Sequence, residues 1–148
     1  MEVMGLDHNF WNGCSVFLTG HTGFKGGWMA TWLGRLGANV HGFSLPPNES
    51  NYFFHKVGVN KFVKSSTFGD IRDREALKKV LVKTKPTVVV HMAAQPLVRG
   101  AYENPSLTYE TNVIGTVNLL ESVRQIGSVA AVLNITTDKV YENQEWVY

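Results

Sequence analysis

A glycine-rich segment near the start of the chain constrains the fold more than any other feature. The segment is Gly20-His21-Thr22-Gly23-Phe24-Lys25-Gly26, and it joins the apolar run 15–19 to a stretch with helical spacing, 24–36. A short apolar run that ends at a glycine predicts a buried strand. Glycines between a strand and a helix let the backbone turn tightly and let a pyrophosphate approach the helix N-terminus. The spacing is GxxGxxG rather than GxGxxG, and its position favours dinucleotide binding over a connecting turn without a ligand.

The rest of the chain continues this alternation of apolar runs and helical patterns. Strands are predicted at 15–19, 39–45, 61–65, 87–92 and 129–136, and helices at 24–36, 73–83 and 104–125. The segment 48–60 is polar and aromatic and receives no assignment. Because the buried runs are apolar throughout, the pattern predicts a parallel sheet covered on both faces. We therefore expect an α/β fold, a Rossmann-like doubly wound parallel sheet truncated after about the fifth strand, with residues 1–148 forming one partial domain.

Composition excludes several classes of protein. The chain has 148 residues, and Cys14 is its one cysteine, so a disulfide scaffold is excluded. The net charge of +2 comes from scattered side chains, which predicts no nucleic-acid partner. No apolar run reaches the roughly 18 residues of a membrane span, and we expect no membrane partner. The first residues lack the basic and apolar regions of a secretory signal, so we expect a cytoplasmic protein.

Three later loops should follow strands and line the same crevice as the glycine-rich segment. The end of the predicted second strand holds Phe43-Ser44-Leu45, where Ser44 could bond a ribose hydroxyl. It lacks the carboxylate of a familiar NAD site, so charge leaves the choice between NAD and NADP open. Asp70 is a candidate for bonding an adenine amine or for capping the next helix. The small residues Ala93 and Ala94, followed by Gln95, would let a cofactor lie close to the backbone, or they serve tight packing alone.

Other conspicuous side chains have simpler interpretations. His91 ends a predicted strand and is expected to be structural rather than catalytic. Trp28 and Trp32 lie four residues apart on the first helix and are expected to pack rather than to contact a ligand. No residue is assigned to a metal.

Several motifs together resemble extended short-chain dehydrogenases/reductases. Within that superfamily, the chain most specifically resembles the nucleotide-sugar 4,6-dehydratases that act on CDP-glucose. The resemblance covers the chain from about Phe10 to its end. The motifs are Leu18-Thr19-Gly20 with the glycine-rich segment, Gly69-Asp70-Ile71-Arg72-Asp73, His91-Met92-Ala93-Ala94-Gln95, Gln95-Pro96-Leu97-Val98-Arg99, Asn112-Val113-Ile114-Gly115-Thr116, Thr136-Thr137-Asp138-Lys139-Val140-Tyr141 and Glu145-Trp146.

The resemblance implies an enzyme that removes water from the hexose of a nucleotide sugar, CDP-glucose, while a tightly held NAD is regenerated. Such an enzyme belongs to nucleotide-sugar and lipopolysaccharide biosynthesis. The positions that match the family's cofactor contacts are Gly20, Thr22, Gly23, Phe24, Lys25, Gly26, Ser44, Asp70, Ile71, Ala93, Ala94, Gln95, Asn112 and Thr136. The family counterpart of Asn112 supports the active site through the backbone.

The resemblance also implies three catalytic positions. Thr137 matches a threonine that bonds the sugar hydroxyl at C4, and Asp138 matches the acid that protonates the leaving C6 hydroxyl. Lys139 is a departure, because relatives acting on dTDP-glucose carry an acidic base at this place. A lysine serves as base only if its pKa is lowered; otherwise Lys139 binds and orients while another group takes the proton.

The family's Tyr-x-x-x-Lys pair is missing from the expected place after the fifth strand. Tyr52 and Lys56 match the spacing, but they lie between the second and third strands, which makes the match a coincidence. We therefore expect an N-terminal fragment of a longer enzyme, inactive alone and homo-oligomeric in its parent. The apolar stripe of Val113, Ile114, Val117 and Leu120 on helix 104–125 is either left partly uncovered or covers the parent sheet, and the sequence leaves both alternatives open.

Two other functions remain open from the sequence. One is a non-catalytic domain that binds a dinucleotide and nothing else. The other is a nucleotide-sugar epimerase of the same superfamily, against which the Asp138-Lys139 pair argues.

Overall fold

A five-stranded parallel sheet forms the centre of the computed structural model, which describes residues 9–49, 52–137 and 142. The strand order is β3-β2-β1-β4-β5, which is the order of a doubly wound α/β sheet and confirms the predicted fold class. All four strand pairs are parallel. The strands are β1 Ser15–Thr19, β2 Asn39–Ser44, β3 Ser65–Phe68, β4 Val88–His91 and β5 Ala131–Asn134.

In the part of the chain that the structure describes, eight helical segments connect and cover these strands. They are α1 Phe24–Arg35, α2 Tyr52–Val57, a 3-10 turn Val59–Phe62, α3 Arg74–Thr84, α4 Val98–Glu103, α5 Pro105–Tyr109, a π-helical turn Glu110–Ile114 and α6 Gly115–Ile126. Side-chain caps begin α3 and α5, as the sequence predicts. Asp73 accepts a 3.0 Å hydrogen bond from the amide of Ala76, and Asn104 accepts one of 3.0 Å from the amide of Leu107.

The apolar character of β1 follows from its central place in the sheet. Val16 and Leu18 enter one core with residues of α1, whereas Phe17 enters a second core on the opposite face with residues of α3 and α6. Because successive side chains of a strand point to opposite faces, a strand with cores on both sides has no position for a polar side chain along its middle. Helices therefore cover both faces of β1, whereas all four residues of β5 are exposed, so the predicted cover on both faces does not extend to that strand.

The third strand lies later in the chain than predicted. Residues 61–65 were expected to form it, but β3 begins at Ser65, and the preceding Val59–Phe62 segment is a 3-10 turn. Val59 is fully buried in the core beside α1, which fixes that turn. β3 pairs only with β2 among the described residues. An edge strand of this kind has side chains that stay partly exposed, so its sequence SSTF carries no apolar signal.

The helices differ from the prediction in two further respects. α2 and α4 are short helices that the sequence pattern did not indicate, and a π turn divides the predicted helix 104–125. Trp28 packs on Phe53 with ring centroids 4.7 Å apart, yet it remains 55% exposed and Trp32 60%. The core contacts of α1 come instead from smaller residues such as Ala30 and Leu33.

The apolar stripe along the π turn and α6 is exposed, which favours the first of the two alternatives that the sequence left open. Val113, Ile114, Val117 and Leu120 are between 43% and 54% exposed. Within the described ranges, no helix combines the length and apolar character that crossing a membrane requires.

Candidate functional site

The glycine-rich turn lies where β1 ends, and its first glycine is required by both conformation and space. Gly20 has φ +78°, and its amide donates a 2.9 Å hydrogen bond to the carbonyl of Phe43. A Cβ at this position would lie 2.9 Å from the amide nitrogen of Ala93 and from the carbonyl oxygen of Met92. The turn therefore rests directly on the backbone that follows β4, and any side chain would separate the two.

The second half of the turn leads into α1, and Gly23 at its N-cap makes no side-chain hydrogen bond to the first amides of the helix. Gly23 donates a 3.0 Å hydrogen bond to the carbonyl of Gly20, and a Cβ on Gly26 would overlap that same carbonyl. No described side chain caps the start of α1, which begins at Phe24. Uncapped amides and the positive end of a 12-residue helix attract an anion. The turn thus fits the pyrophosphate of a dinucleotide.

Phe24 and Lys25 contribute their backbone amides to this helix start, while their side chains lie elsewhere. The Phe24 ring is exposed and meets Phe53 edge to face at 5.6 Å. Lys25 lines an apolar cavity of about 640 Å³ beside α1, together with Trp28 and Trp32. A dinucleotide at the turn would therefore meet the main chain of both residues.

Thr22 and Ser44 bring two neutral hydroxyls together at the end of β2. Their oxygens lie 2.7 Å apart, and the Thr22 hydroxyl donates a 3.1 Å hydrogen bond to the carbonyl of Leu45. Since Thr22 has a single hydroxyl proton, Ser44 donates to Thr22 and keeps oxygen lone pairs to accept from a ribose hydroxyl. Neither residue carries a negative charge that would repel a 2′-phosphate.

His21 fills the space under the turn, a role that sequence reasoning missed. The side chain is fully buried, its Nε2 lies 2.7 Å from the Ser66 hydroxyl, and its ring lies parallel to that of Phe68. A Cβ on Gly42 would lie 2.5 Å from the ring. Burial lowers the pKa of His21 to about 4, partly offset by the Phe43 carbonyl, so the ring is neutral. The glycine at position 42, inside a strand, was the available signal.

Asp70 lies after β3 and is held by an arginine. Arg72 Nη2 is 2.7 Å from Asp70 Oδ2, and Arg72 Nη1 is 2.9 Å from Glu110 Oε2 on the π turn. The hydrogen bonds from Arg72 lower the pKa of Asp70, which is therefore a carboxylate. Asp73, rather than Asp70, caps α3. The neighbouring Ile71 is buried against Gly115, so only its backbone is open to a cofactor.

The loop after β4 is anchored by Asn112 on the π turn. Asn112 Oδ1 accepts a 2.8 Å hydrogen bond from the amide of Gln95, and Asn112 Nδ2 donates one of 3.1 Å to the carbonyl of Gln95. The side chain of Gln95 in turn accepts from the amide of Leu97 at 2.6 Å. The side-chain amide of Asn112 therefore holds the backbone of the loop after β4. Ala93 packs against the second core, whereas Ala94 is exposed.

Thr136 and Thr137 follow β5 and are exposed. His91 at the end of β4 lies in register with Asn134 of β5, so these threonines come from the same edge of the sheet as Gly20 and Ala93. Asp138 and Lys139 lie outside the described residues. Among residues 9–49, 52–137 and 142, no three His, Cys, Asp or Glu side chains converge as metal ligands do.

The comparisons with known proteins agree with this arrangement. The family model of GDP-mannose 4,6 dehydratase matches residues 17–146. The chain belongs to this family. The matched range contains the glycine-rich turn, the loop after β4 and residues 136–139.

Proteins similar in sequence to this chain include both dehydratases and epimerases. CDP-glucose 4,6-dehydratase from Salmonella typhimurium is 52% identical over 143 residues, covering 97% of this chain and 40% of that protein. UDP-glucuronate 4-epimerase 4 from Arabidopsis thaliana is 35% identical and covers 88% of this chain and 30% of that protein. This dehydratase-family chain thus spans well under half the length of these relatives.

A solved structure gives the same fold. UDP-glucose 4-epimerase from Thermus thermophilus, crystallised in complex with NAD, aligns with a TM-score of 0.65 and 33% identity. The alignment covers 77% of this chain and 35% of that one.

Proposed function

We propose that the complete protein carrying this chain is a nucleotide-sugar 4,6-dehydratase that converts CDP-glucose to its 4-keto-6-deoxy derivative with a bound NAD. The observation that carries the proposal is the 52% identity, across 97% of this chain, to the Salmonella typhimurium enzyme of that name. The chain supplies the dinucleotide-binding part of the enzyme. The product serves deoxyhexose and lipopolysaccharide biosynthesis, and the unpaired Cys14 suits a reducing cytoplasm.

The residues at the strand ends fit NAD. The backbone of Gly20, Gly23 and Gly26, with the start of α1, would hold the pyrophosphate. A Cβ on Gly26 would overlap the backbone of the turn, and one on Gly20 would meet the loop after β4. The Ser44 hydroxyl would accept a hydrogen bond from a ribose, and Asp70 would accept one from the adenine amine. When bound, NAD supplies a hydride acceptor that is regenerated within each cycle.

The sugar chemistry belongs to the residues after β5. Thr137 would bond the hydroxyl at C4 of the hexose, and Asp138 would donate a proton to the leaving C6 hydroxyl. A carboxyl that donates a proton near neutral pH needs a raised pKa, which burial beneath a bound sugar would provide. Lys139 either acts as base with a lowered pKa or orients the sugar while another group takes the proton.

We also propose that the complete enzyme is a homo-oligomer. The exposed stripe of Val113, Ile114, Val117 and Leu120 on the π turn and α6 gives an apolar surface that a second copy would cover.

Product analysis of the complete protein tests the proposed reaction. Incubation with CDP-glucose should give a product lighter by one water that carries a C4 carbonyl and a C6 methyl group in NMR spectra. Conversion to an isomer of unchanged mass would instead assign the protein to the epimerases. The variant Asp138→Asn should bind the sugar nucleotide and form no product. GDP-mannose and UDP-glucose serve as matched substrates, and an equal rate with either would refute the preference for CDP-glucose.

A further inference from the structure

A chain of buried and partly buried hydrogen bonds links β1, β4 and α6 beside the candidate cofactor site. His91 lies at the end of β4 and is 3% exposed. Its Nδ1 is 2.6 Å from the hydroxyl of Thr19 on β1, and its Nε2 is 3.0 Å from the hydroxyl of Thr116 on α6. We call Thr19, His91 and Thr116 the His91 bridge. It joins the strand that leads into the glycine-rich turn to the helix that follows Asn112.

The number of protons in the His91 bridge fixes the direction of each hydrogen bond. The Thr19 oxygen accepts from the amides of Met92 and Ala93, at 3.0 and 3.1 Å, which uses both of its lone pairs. Thr19 must therefore donate its own proton to Nδ1 of His91. The proton of the neutral ring then resides on Nε2 and is donated to Thr116. The Thr116 hydroxyl completes the chain by donating to the carbonyl of Asn112 at 2.7 Å.

Both ends of the His91 bridge hold the backbone of the loop after β4. At one end, Thr19 fixes the amides of Met92 and Ala93, the same backbone on which the glycine-rich turn rests. At the other end, Thr116 holds the π turn whose Asn112 side chain bonds both backbone groups of Gln95. The ring is thus bonded on both sides to residues that set the position of the loop.

We propose that His91 is a positioning residue for the dinucleotide site, which holds the loop 92–95 against the glycine-rich turn by donating from Nε2 and accepting at Nδ1. The proposal rests on the proposed binding of NAD. Packing alone would not require a histidine here, because an aliphatic side chain fills a buried site without unmet hydrogen bonds of its own. The donor and the acceptor are both needed, since a replacement lacking them leaves the hydroxyl proton of Thr19 without its acceptor and the oxygen of Thr116 without its donor.

The test compares two substitutions of His91 in the complete protein, with NAD affinity measured by isothermal titration calorimetry and folding by urea unfolding. His91→Gln keeps an acceptor and a donor about as far apart as the two ring nitrogens, and we expect its Kd for NAD to stay within about threefold of wild type. His91→Leu removes both groups. We expect it to raise the Kd about tenfold, which corresponds to ~1.4 kcal/mol or the net value of one hydrogen bond.

A matched control separates positioning from general loss of stability. Val89→Ala removes buried methyl groups from the same strand and leaves the His91 bridge intact. We expect Val89→Ala to be less stable than wild type but to bind NAD with unchanged affinity. If His91→Leu does not fold, Thr116→Val keeps the volume of the side chain, removes the acceptor for Nε2 and should raise the Kd severalfold.

Three results would overturn the inference. Unchanged NAD affinity in folded His91→Leu or in Thr116→Val would show that the bridge does not position the loop. Loss of affinity in His91→Gln equal to that in His91→Leu would show that hydrogen bonding is not the reason for the histidine. If wild-type protein itself binds no NAD, the proposed cofactor fails, and this inference fails with it.

Discussion

Replacing Gly20 by alanine should damage both the fold and the dinucleotide site. A left-handed conformation such as the φ of +78° at this position costs alanine about 1–2 kcal/mol. Its Cβ would also lie 2.9 Å from the backbone of Ala93 and Met92, whereas ordinary contacts begin near 3.4 Å. Backbone atoms do not rotate away as side chains do, so the overlap should cost a further ~1–3 kcal/mol. We expect Gly20→Ala to lower the free energy of unfolding by about 2–5 kcal/mol.

Gly13→Ala is the matched control for this prediction. Gly13 has nearly the same φ, +75°, but a Cβ there meets nothing within 4 Å. Both substitutions reduce the entropy of the unfolded chain equally, so this effect cancels in the comparison. Urea unfolding of the two variants should therefore differ by the overlap alone, about 1–3 kcal/mol. Calorimetry should show weakened NAD binding only in Gly20→Ala. Equal stabilities of the two variants would refute the close approach of the turn to the loop after β4.

Two further predictions concern Asn112 and pH. Asn112→Ala removes two hydrogen bonds to Gln95 and should lower the free energy of unfolding in urea by about 2–3 kcal/mol. The control Asn118→Ala loses one exposed hydrogen bond to Arg72 and should lower it by about 1 kcal/mol. Equal losses in the two variants would contradict the anchoring role of Asn112. Between pH 6.5 and pH 4, unfolded His21 takes up a proton that the folded chain excludes, so this residue alone should lower the free energy of unfolding by about 3 kcal/mol as the pH is lowered through this range. His21→Asn should flatten that slope in urea unfolding measured as a function of pH, and an unchanged slope would show that His21 is not its source.

Much of the fold was predictable because its signals are local. The strands around Val16 and Val89 are apolar on both faces, since they lie inside a covered parallel sheet. Asp73 and Asn104 mark helix starts through hydrogen bonds that span three residues. The glycine-rich turn was predictable for the same reason, because a strand, a turn and a helix follow one another directly along the chain.

Other features depend on contacts between residues distant in the sequence. β3 is set by pairing with β2, and Val59 is buried by α1, so the local pattern at 61–65 predicted the wrong boundaries. The helical pattern of 104–125 gave no indication of the π turn. Only the structure shows that this turn brings Asn112 to the backbone of Gln95, 17 residues away.

The sequence by itself determined the alternation of strands and helices and the glycines that a dinucleotide site needs, because propensity, capping and the lack of a Cβ are properties of neighbouring residues. Only the tertiary structure decided how those parts are held together. His91 bonds Thr19, 72 residues away, and Thr116, 25 residues away, and neither partner is visible from the histidine's own neighbours. Hydrogen bonds between strands and helices depend on distance in space, and that distance is fixed only when the sheet has formed.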